Sequence, residues 1–361
     1  MNTRADYDLL VAGQGLAGTA LAVSARLAGL SVCLADPDPL PGRTASRVAA
    51  GLITPLTGKK INPGWRLEEL LPLALDFYAR AGDWLGARFF HSEQVHRWFT
   101  DAEEARSFGV RIAEPRIHRW CAGQLPPEPR LNVPAGGFAM AGGGWLDVPL
   151  WLDSVRRRFR DDGQWIESAV DEADIEVGPD AVRWHGLTAR RVVFCHGLAA
   201  GRSSRFFPGL PFRPASGEVL EVVLANGSPP VVWNSGGKWL APRRDGTCLC
   251  GATYGFGAWE GVPTIAGRVE LSRFLDGILR EGYEIIGHRA GVRPILQQSR
   301  PVAGFLPDCP VVGLLNGLGS KGVLTAPWAA GALVAAIQTG ATPDPELDPA
   351  RLHRHPAITR P

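Results

Sequence analysis

Residues 7–20 read YDLLVAGQGLAGTA: an apolar run of strand length, glycines at 13, 15 and 18, then small apolar residues. This is the entrance to a β-α-β unit. Gly13 permits the tight turn, Gly15 lets the backbone approach a pyrophosphate, and Gly18 lets the helix lie against the strand. Leu16 and Ala17 open a helix expected over Leu16–Ala28, and LSVCLAD (30–36) supplies a second strand of the buried, parallel kind. Asp36 closes that strand where an acid would accept a ribose hydroxyl. Phosphates would meet the positive end of the helix and its unsatisfied backbone N–H groups. A dinucleotide is therefore expected. An acid at position 36 suits FAD or NAD and repels the extra phosphate of NADP.

A chain of 361 residues is longer than one hydrophobic core usually supports, so two domains, or one with a large insertion, are expected. The net charge of +2, from 38 basic and 36 acidic side chains, gives no electrostatic case for nucleic acid or an anionic membrane. Arg156, Arg157 and Arg158 are adjacent on a helix and read as a solvated face. No run of about 18 apolar residues suggests a membrane span. The N-terminus lacks the apolar stretch of a signal peptide, so the cytoplasm is expected. Cys33, Cys121, Cys195 and Cys309 stand alone. Cys248 and Cys250 flank Leu249 and would share one buried face of a strand, so no metal and no disulfide framework is expected.

Along the chain, residues 40–64 are too rich in Gly, Pro and Thr for regular structure throughout. A helix is expected over Leu67–Leu85, with Pro72 as a kink. Residues 88–140 alternate aromatic and polar residues and carry prolines, which predicts short strands and loops. WLDVPLWLDSVRRRFRDDG (145–163) is an amphipathic helix, and 217–262 is strand-like. Further helices are expected near Val269–Glu281 and over Ala326–Thr339. The fold class is therefore α/β: a Rossmann-type dinucleotide-binding domain, which the resemblance given below makes FAD-binding, with a second, antiparallel β-rich domain that the same resemblance assigns to substrate. The first is discontinuous, at 1–87, 141–212 and 288–361; the second takes 88–140 and 213–287.

Five stretches then arrive in order. They are ASRVAAGLITP (45–55), VVFCHGLAAGRSSRFFPGLPFRPASGEVLEV (192–222), KWLAPRRDGTCLCGATYGFGAWE (238–260), AGVRPILQQSRPVAGFLPD (290–308) and VVGLLNGLGSKGVLTAPWAAGAL (311–333). Together they resemble the D-amino acid oxidase superfamily of FAD proteins. Within it, the nearest branches are glycine oxidase and the C-terminal oxidase domain of the bifunctional enzyme that modifies the tRNA wobble uridine. The resemblance covers nearly the whole chain.

The resemblance implies roles for particular residues. Ser46, Ala49, Ala50, Gly51 and Leu52 match the stretch beside the isoalloxazine ring, and Val170 matches the backbone that meets the adenine. His196 and Gly197 match a second turn against the FAD pyrophosphate and ribose, although CHGLAA departs from the commoner Ala-Ala-Gly. Arg293 matches the arginine that forks onto a substrate carboxylate, a task suited to a planar, permanently charged group. Tyr254 falls where a substrate-domain strand crosses the flavin. Trp239 stands where glycine oxidase has a substrate tyrosine; it removes a hydroxyl and adds an apolar wall, so glycine itself is not expected as substrate. Gly319, Ser320, Gly322 and Val323 match the turn facing the pyrimidine end of the ring. Lys321, in the same turn, would contact substrate or favour the reduced flavin. No Cys stands in 291–300, so FAD is expected to be non-covalent.

By the same resemblance, an amine substrate presents its α-C–H to flavin N5, hydride passes to the ring, and the imine is hydrolysed. The flavin performs the redox step while the protein orients and supplies charge. The expected partners are a small-molecule amine or amino acid, such as an N-substituted glycine, and O2 or another electron acceptor. Neither a membrane nor nucleic acid is expected. Two alternatives stay open: a 2-hydroxy acid dehydrogenase, which Arg293 would also suit, and a non-catalytic FAD-binding protein.

Overall fold

The structure, a computed structural model, describes residues 5–37, 44–201, 204–341 and 343–352. Residues 40–43 of the expected loop and residues 202–203 of the second quoted stretch lie outside them.

The opening unit forms as strand Tyr7–Ala12, helix Leu16–Leu27 and strand Val32–Ala35. Successive side chains of a strand point to opposite faces. Here Leu9, Val11, Val32 and Leu34 enter one core cluster while Leu10, Ala12, Cys33 and Ala35 enter another. Both faces of the sheet are thus covered, and this is why residues 9–12 and 32–35 are apolar at every position. Tyr7–Ala12 pairs in parallel with Val32–Ala35 on one side and with Leu187–Phe194 on the other. Leu187–Phe194 in turn pairs in parallel with Cys309–Asn316. Four parallel strands therefore end at one edge and release the chain at Gly13, Asp36, Cys195 and Gly317. That edge is the crevice in which open α/β sheets bind ligands.

Helix Leu67–Leu85 keeps its expected bounds. The last long helix, Gly322–Thr339, starts four residues before the expected Ala326. Its first turn is built from the Ser-Lys-Gly segment itself, with the N–H groups of Leu324 and Thr325 both donating to the Lys321 carbonyl at 3.0 Å. Tyr78 Oη, from Leu67–Leu85, donates to the Val323 carbonyl at 2.9 Å and ties the two helices. Among the described helices, Gly322–Thr339 is long and apolar enough to cross a membrane by length and composition. Gly, Pro and Thr interrupt its apolar run, so the helix contains no unbroken apolar stretch of that length. In the fold, this helix lies against Leu16–Leu27 and Leu67–Leu85, with most of its first half buried.

A second, mostly antiparallel sheet is built on the long pair Ala215–Leu224 and Tyr283–Arg293, in register from Ala215 beside Arg293 to Leu224 beside Tyr283. It continues through Cys248–Gly251, Lys238–Pro242 and Val232–Ser235 to Val95–Trp98, Gly137–Met140 and Cys121–Leu125. Cys248 and Cys250 both point into its core cluster. Two expected boundaries move. The helix expected at Val269–Glu281 forms at Ile265–Ile278, because Thr264 caps it, its hydroxyl accepting from Gly267 N at 2.9 Å. The break expected between 287 and 288 falls inside Tyr283–Arg293, whose ladder to Ala215–Leu224 is unbroken except for a bulge at Glu221 and Val222. Arg293 therefore rides on the second sheet.

Candidate cofactor and substrate site

The first turn is shaped by what cannot fit there. Gly13 has φ of +100°, a conformation costly for other residues. A Cβ at Gly13 would stand 2.9 Å from the Cys195 carbonyl oxygen, and one at Gly18 would overlap the Gly13 carbonyl. Gly13 N donates to Ala35 O at 2.8 Å, locking the turn to the neighbouring strand. Helix Leu16–Leu27 has Gly15 at its N-cap with no side-chain cap of its own. Ser46 Oγ accepts from Leu16 N at 3.0 Å and takes one of the open donors.

Asp36 is buried beside this turn, with its Oδ2 accepting from Gln14 N at 2.7 Å. Burial pushes its carboxyl above the ordinary value, against the Gln14 N–H and the charges of Arg156, Arg47 and His196. Arg156, read above as a solvated cation, is buried instead. Its Nε donates to Gln14 Oε1 at 2.7 Å, its Nη2 lies 3.8 Å from Asp36 Oδ1, and its guanidinium lies 4.8 Å from the Trp165 ring centre. Helix spacing explains the difference: Leu152, Val155, Arg156 and Phe159 share the inward face of Val148–Asp161, whereas Arg157 faces water.

The second turn, His196–Gly197, follows strand Leu187–Phe194. Asn316 Nδ2 donates to Gly197 O at 2.8 Å, and Asn316 Oδ1 accepts from Gly317 N at 2.7 Å, so one buried amide joins this turn to the one after Cys309–Asn316. Burial depresses the basicity of His196 against the pull of Glu172, Asp36 and Asp171.

These turns open on one cavity of about 790 Å³, inside the range of about 300–1,000 Å³ usual for ligand sites. Its lining includes Gly13, Gly15, Leu16, Ala17, Asp36, Ser46, Ala49, Ala50, Gly51, Leu52, Val170, His196, Gly197, Trp239, Arg293, Gly319, Ser320, Gly322 and Val323. Three residues from the sequence reading lie outside the lining: Gly18, Tyr254 and Lys321. Gly18 packs helix on turn, as its spacing implied. Tyr254 is 52% exposed, and its ring supports the Arg293 guanidinium from 4.8 Å. Lys321 is half-buried at the helix N-cap, where burial lowers its basicity and no acidic partner stands among the described residues.

Arg293 ends the strand Tyr283–Arg293. Its Nη1 donates to Ser216 O at 2.9 Å and its Nη2 to Thr253 O at 3.5 Å. Gly217 makes room for it, since a Cβ there would overlap the guanidinium. No carboxylate pairs with it among the described residues, and it is the one Arg or Lys among the described lining residues. Trp239 lies over Gly251 of the adjacent strand, where a Cβ would come 2.7 Å from the ring.

Trp259 was not anticipated. It belongs to a strap over residues 257–264, held at one end by Gly257 N donating to Pro214 O at 3.0 Å. At the other end, Thr264 N and Oγ1 donate to the Glu218 carboxylate, each at 2.8 Å. The Trp259 ring reaches a lining position and packs where a Cβ at Gly201 would lie 3.0 Å away. Nothing in the local pattern of 257–264 marks this, because the contact is made across the two sheets. Among the described residues, no cluster of His, Cys, Asp or Glu suited to a metal occurs.

The family described as FAD dependent oxidoreductase (DAO) matches residues 8–337. The chain belongs to this family. Glycine oxidase of Pseudomonas putida is 26% identical over 95% of this chain and 96% of its own. The tRNA 5-methylaminomethyl-2-thiouridine biosynthesis bifunctional protein of Marinobacter nauticus is 26% identical over 88% of this chain, which spans only 53% of that longer protein. The crystal structure of glycine oxidase from Bacillus cereus superposes with a TM-score of 0.78 at 18% identity, covering 94% of this chain and 96% of that one. This FAD-dependent oxidoreductase holds FAD non-covalently. The residues present fit the group: a glycine turn that excludes Cβ atoms, a helix N-terminus beyond it whose N-cap residue brings no side chain, and a buried carboxylate at the end of the second strand.

Proposed function

We propose that this FAD-dependent oxidoreductase oxidises the C–N bond of a carboxylated amine, an amino acid or N-substituted glycine, and passes the electrons to O2 or another acceptor. The observation that carries this reading is Arg293. Its guanidinium faces the cofactor cavity with two backbone carbonyls behind it and no carboxylate among the described residues to satisfy it. A substrate carboxylate accepts from the remaining N–H groups as a charge-assisted pair, which fixes the orientation of the carbon bonded to nitrogen.

Bound FAD supplies the two-electron acceptor. Trp239 and Trp259 wall the cavity with apolar surface, which excludes water and strengthens the Arg293 contact. The N-termini of helices Leu16–Leu27 and Gly322–Thr339 both face the cavity and favour negative charge within it. The similarity to glycine oxidase supports an amine substrate, while Trp239 narrows the site to amines that leave its indole something to cover. A cytoplasmic location belongs to the same reading, and the burial of the first half of Gly322–Thr339 within the fold argues against that helix as a membrane span.

The test is anaerobic reduction of the bound flavin by a panel of amino acids, N-alkyl glycines, decarboxylated amines and 2-hydroxy acids. Carboxylated amines should bleach the flavin. Bleaching by 2-hydroxy acids alone would replace the amine reading, and Arg293→Met should lower kcat/KM for a carboxylated substrate by about a hundredfold or more.

A further inference from the structure

We infer that Arg156 is a positioning residue for the adenosine half of FAD, acting through Gln14 and Asp36. This rests on the functional reading only in taking FAD as the ligand of the cavity. Arg156 does not line the cavity, whereas Gln14 and Asp36 both do. Helix Val148–Asp161 reaches them in two ways: Leu152 O accepts from Gln14 Nε2 at 2.7 Å, and Arg156 Nε donates to Gln14 Oε1 at 2.7 Å. Both ends of one buried amide are therefore held, and its orientation is set by a cation that cannot accept a hydrogen bond. Gln14 N in turn donates to Asp36 Oδ2 at 2.7 Å, and Arg156 Nη2 stands 3.8 Å from Asp36 Oδ1.

The consequence is electrostatic as well as geometric. A buried carboxylate tends to take up a proton, and an adjacent guanidinium opposes that. Asp36 must be ionised to accept from a ribose hydroxyl with both oxygens available. The charged or titratable described groups acting on it are Arg156 from Val148–Asp161, Arg47 from the short helix Ala45–Val48, and His196 from the second turn. Of these, Arg156 is fully charged at any working pH and is fixed at its other end by Gln14. Its guanidinium lies over the Trp165 ring, which restricts its freedom to leave.

The experiment is a double-mutant cycle on FAD affinity, read by quenching of flavin fluorescence as FAD is titrated into the full-length protein. Arg156→Met should weaken FAD binding about tenfold, Asp36→Asn should weaken it similarly, and the double variant should be within about twofold of the weaker single. Across pH, the affinity of Arg156→Met should begin to fall at a higher pH than that of the wild type, and this shift should vanish in the Asp36→Asn background. Arg156→Lys keeps the charge but loses the planar group that reaches Gln14 and Asp36 together. It should bind FAD severalfold more weakly, with the pH onset unchanged, and it carries the test if the Met variant does not fold. Wild-type affinity in either Arg156 variant, or losses that multiply in the double variant, would overturn the assignment. A wild-type protein that takes up no FAD would instead overturn the functional reading.

Discussion

Gly217 and Arg293 show how much a single missing methyl can decide. The guanidinium occupies the space a side chain at 217 would fill, so Gly217→Ala should displace Arg293 with FAD still bound. KM for a carboxylated substrate should rise by about tenfold or more, with the flavin absorbance spectrum unchanged; an unaltered KM would show that the anchor lies elsewhere. Lys321 carries a different expectation. Its ordinary value is 10.5 and burial lowers it, so the unfolded chain binds that proton more tightly than the native one. Stability should therefore rise with pH between the lowered native value and 10.5. Lys321→Met should raise the melting temperature at pH 7 and flatten that rise, which thermal melts from pH 7 to pH 11 would measure. At this scale, the place of Gly13, Gly15, Asp36 and Arg293 around one cavity could be read from local spacing or resemblance. Arg156 and Trp259 could not: adjacency of three arginines hides which one turns inward, and the strap's partner lies more than fifty residues away in sequence, at Gly201.

Elements with a strong period were legible to the residue. Leu67–Leu85 and Tyr7–Ala12 form as read because apolar spacing alone sets them. Two helix starts were not, and for different reasons. Thr264 begins Ile265–Ile278 although Ile265 is 84% exposed, so hydrophobic periodicity has nothing to register there. Thr264→Ala removes both the cap and one bond to Glu218, and should cost about 1–2 kcal/mol in urea unfolding. Limited proteolysis should then cut within 257–264 faster than in the wild type, whereas equal cutting would mean the strap is held from elsewhere. The start of Gly322–Thr339 was missed for another reason: Gly322 and Val323 are poor and middling helix formers in isolation, and it is burial that makes them helical.

For the molecule as a whole, the alternation of α/β ends with a β-rich middle was readable, because parallel buried strands and antiparallel ones differ in pattern. The division at 287/288 was not, since Tyr283–Arg293 changes partner sheets nowhere along its length. FAD bridges turns that follow four separate strands in this reading, so its removal should be felt globally. At a free FAD concentration one hundred times its Kd, the holoprotein should exceed the apoprotein by about 2.7 kcal/mol. Paired thermal melts would check this, and coincident melting of the two forms would contradict it.

The register that sets Ala215 beside Arg293 has an evolutionary corollary. Groups that hold the nucleotide descend from the edge of one sheet, whereas Arg293 and Trp239 descend from the other. Selection can therefore rewrite what this protein acts on by substitutions in Ala215–Leu224, Lys238–Pro242 and Tyr283–Arg293 while the inheritance of its coenzyme stays untouched. A library confined to those three strands is the economical place to look for new substrates.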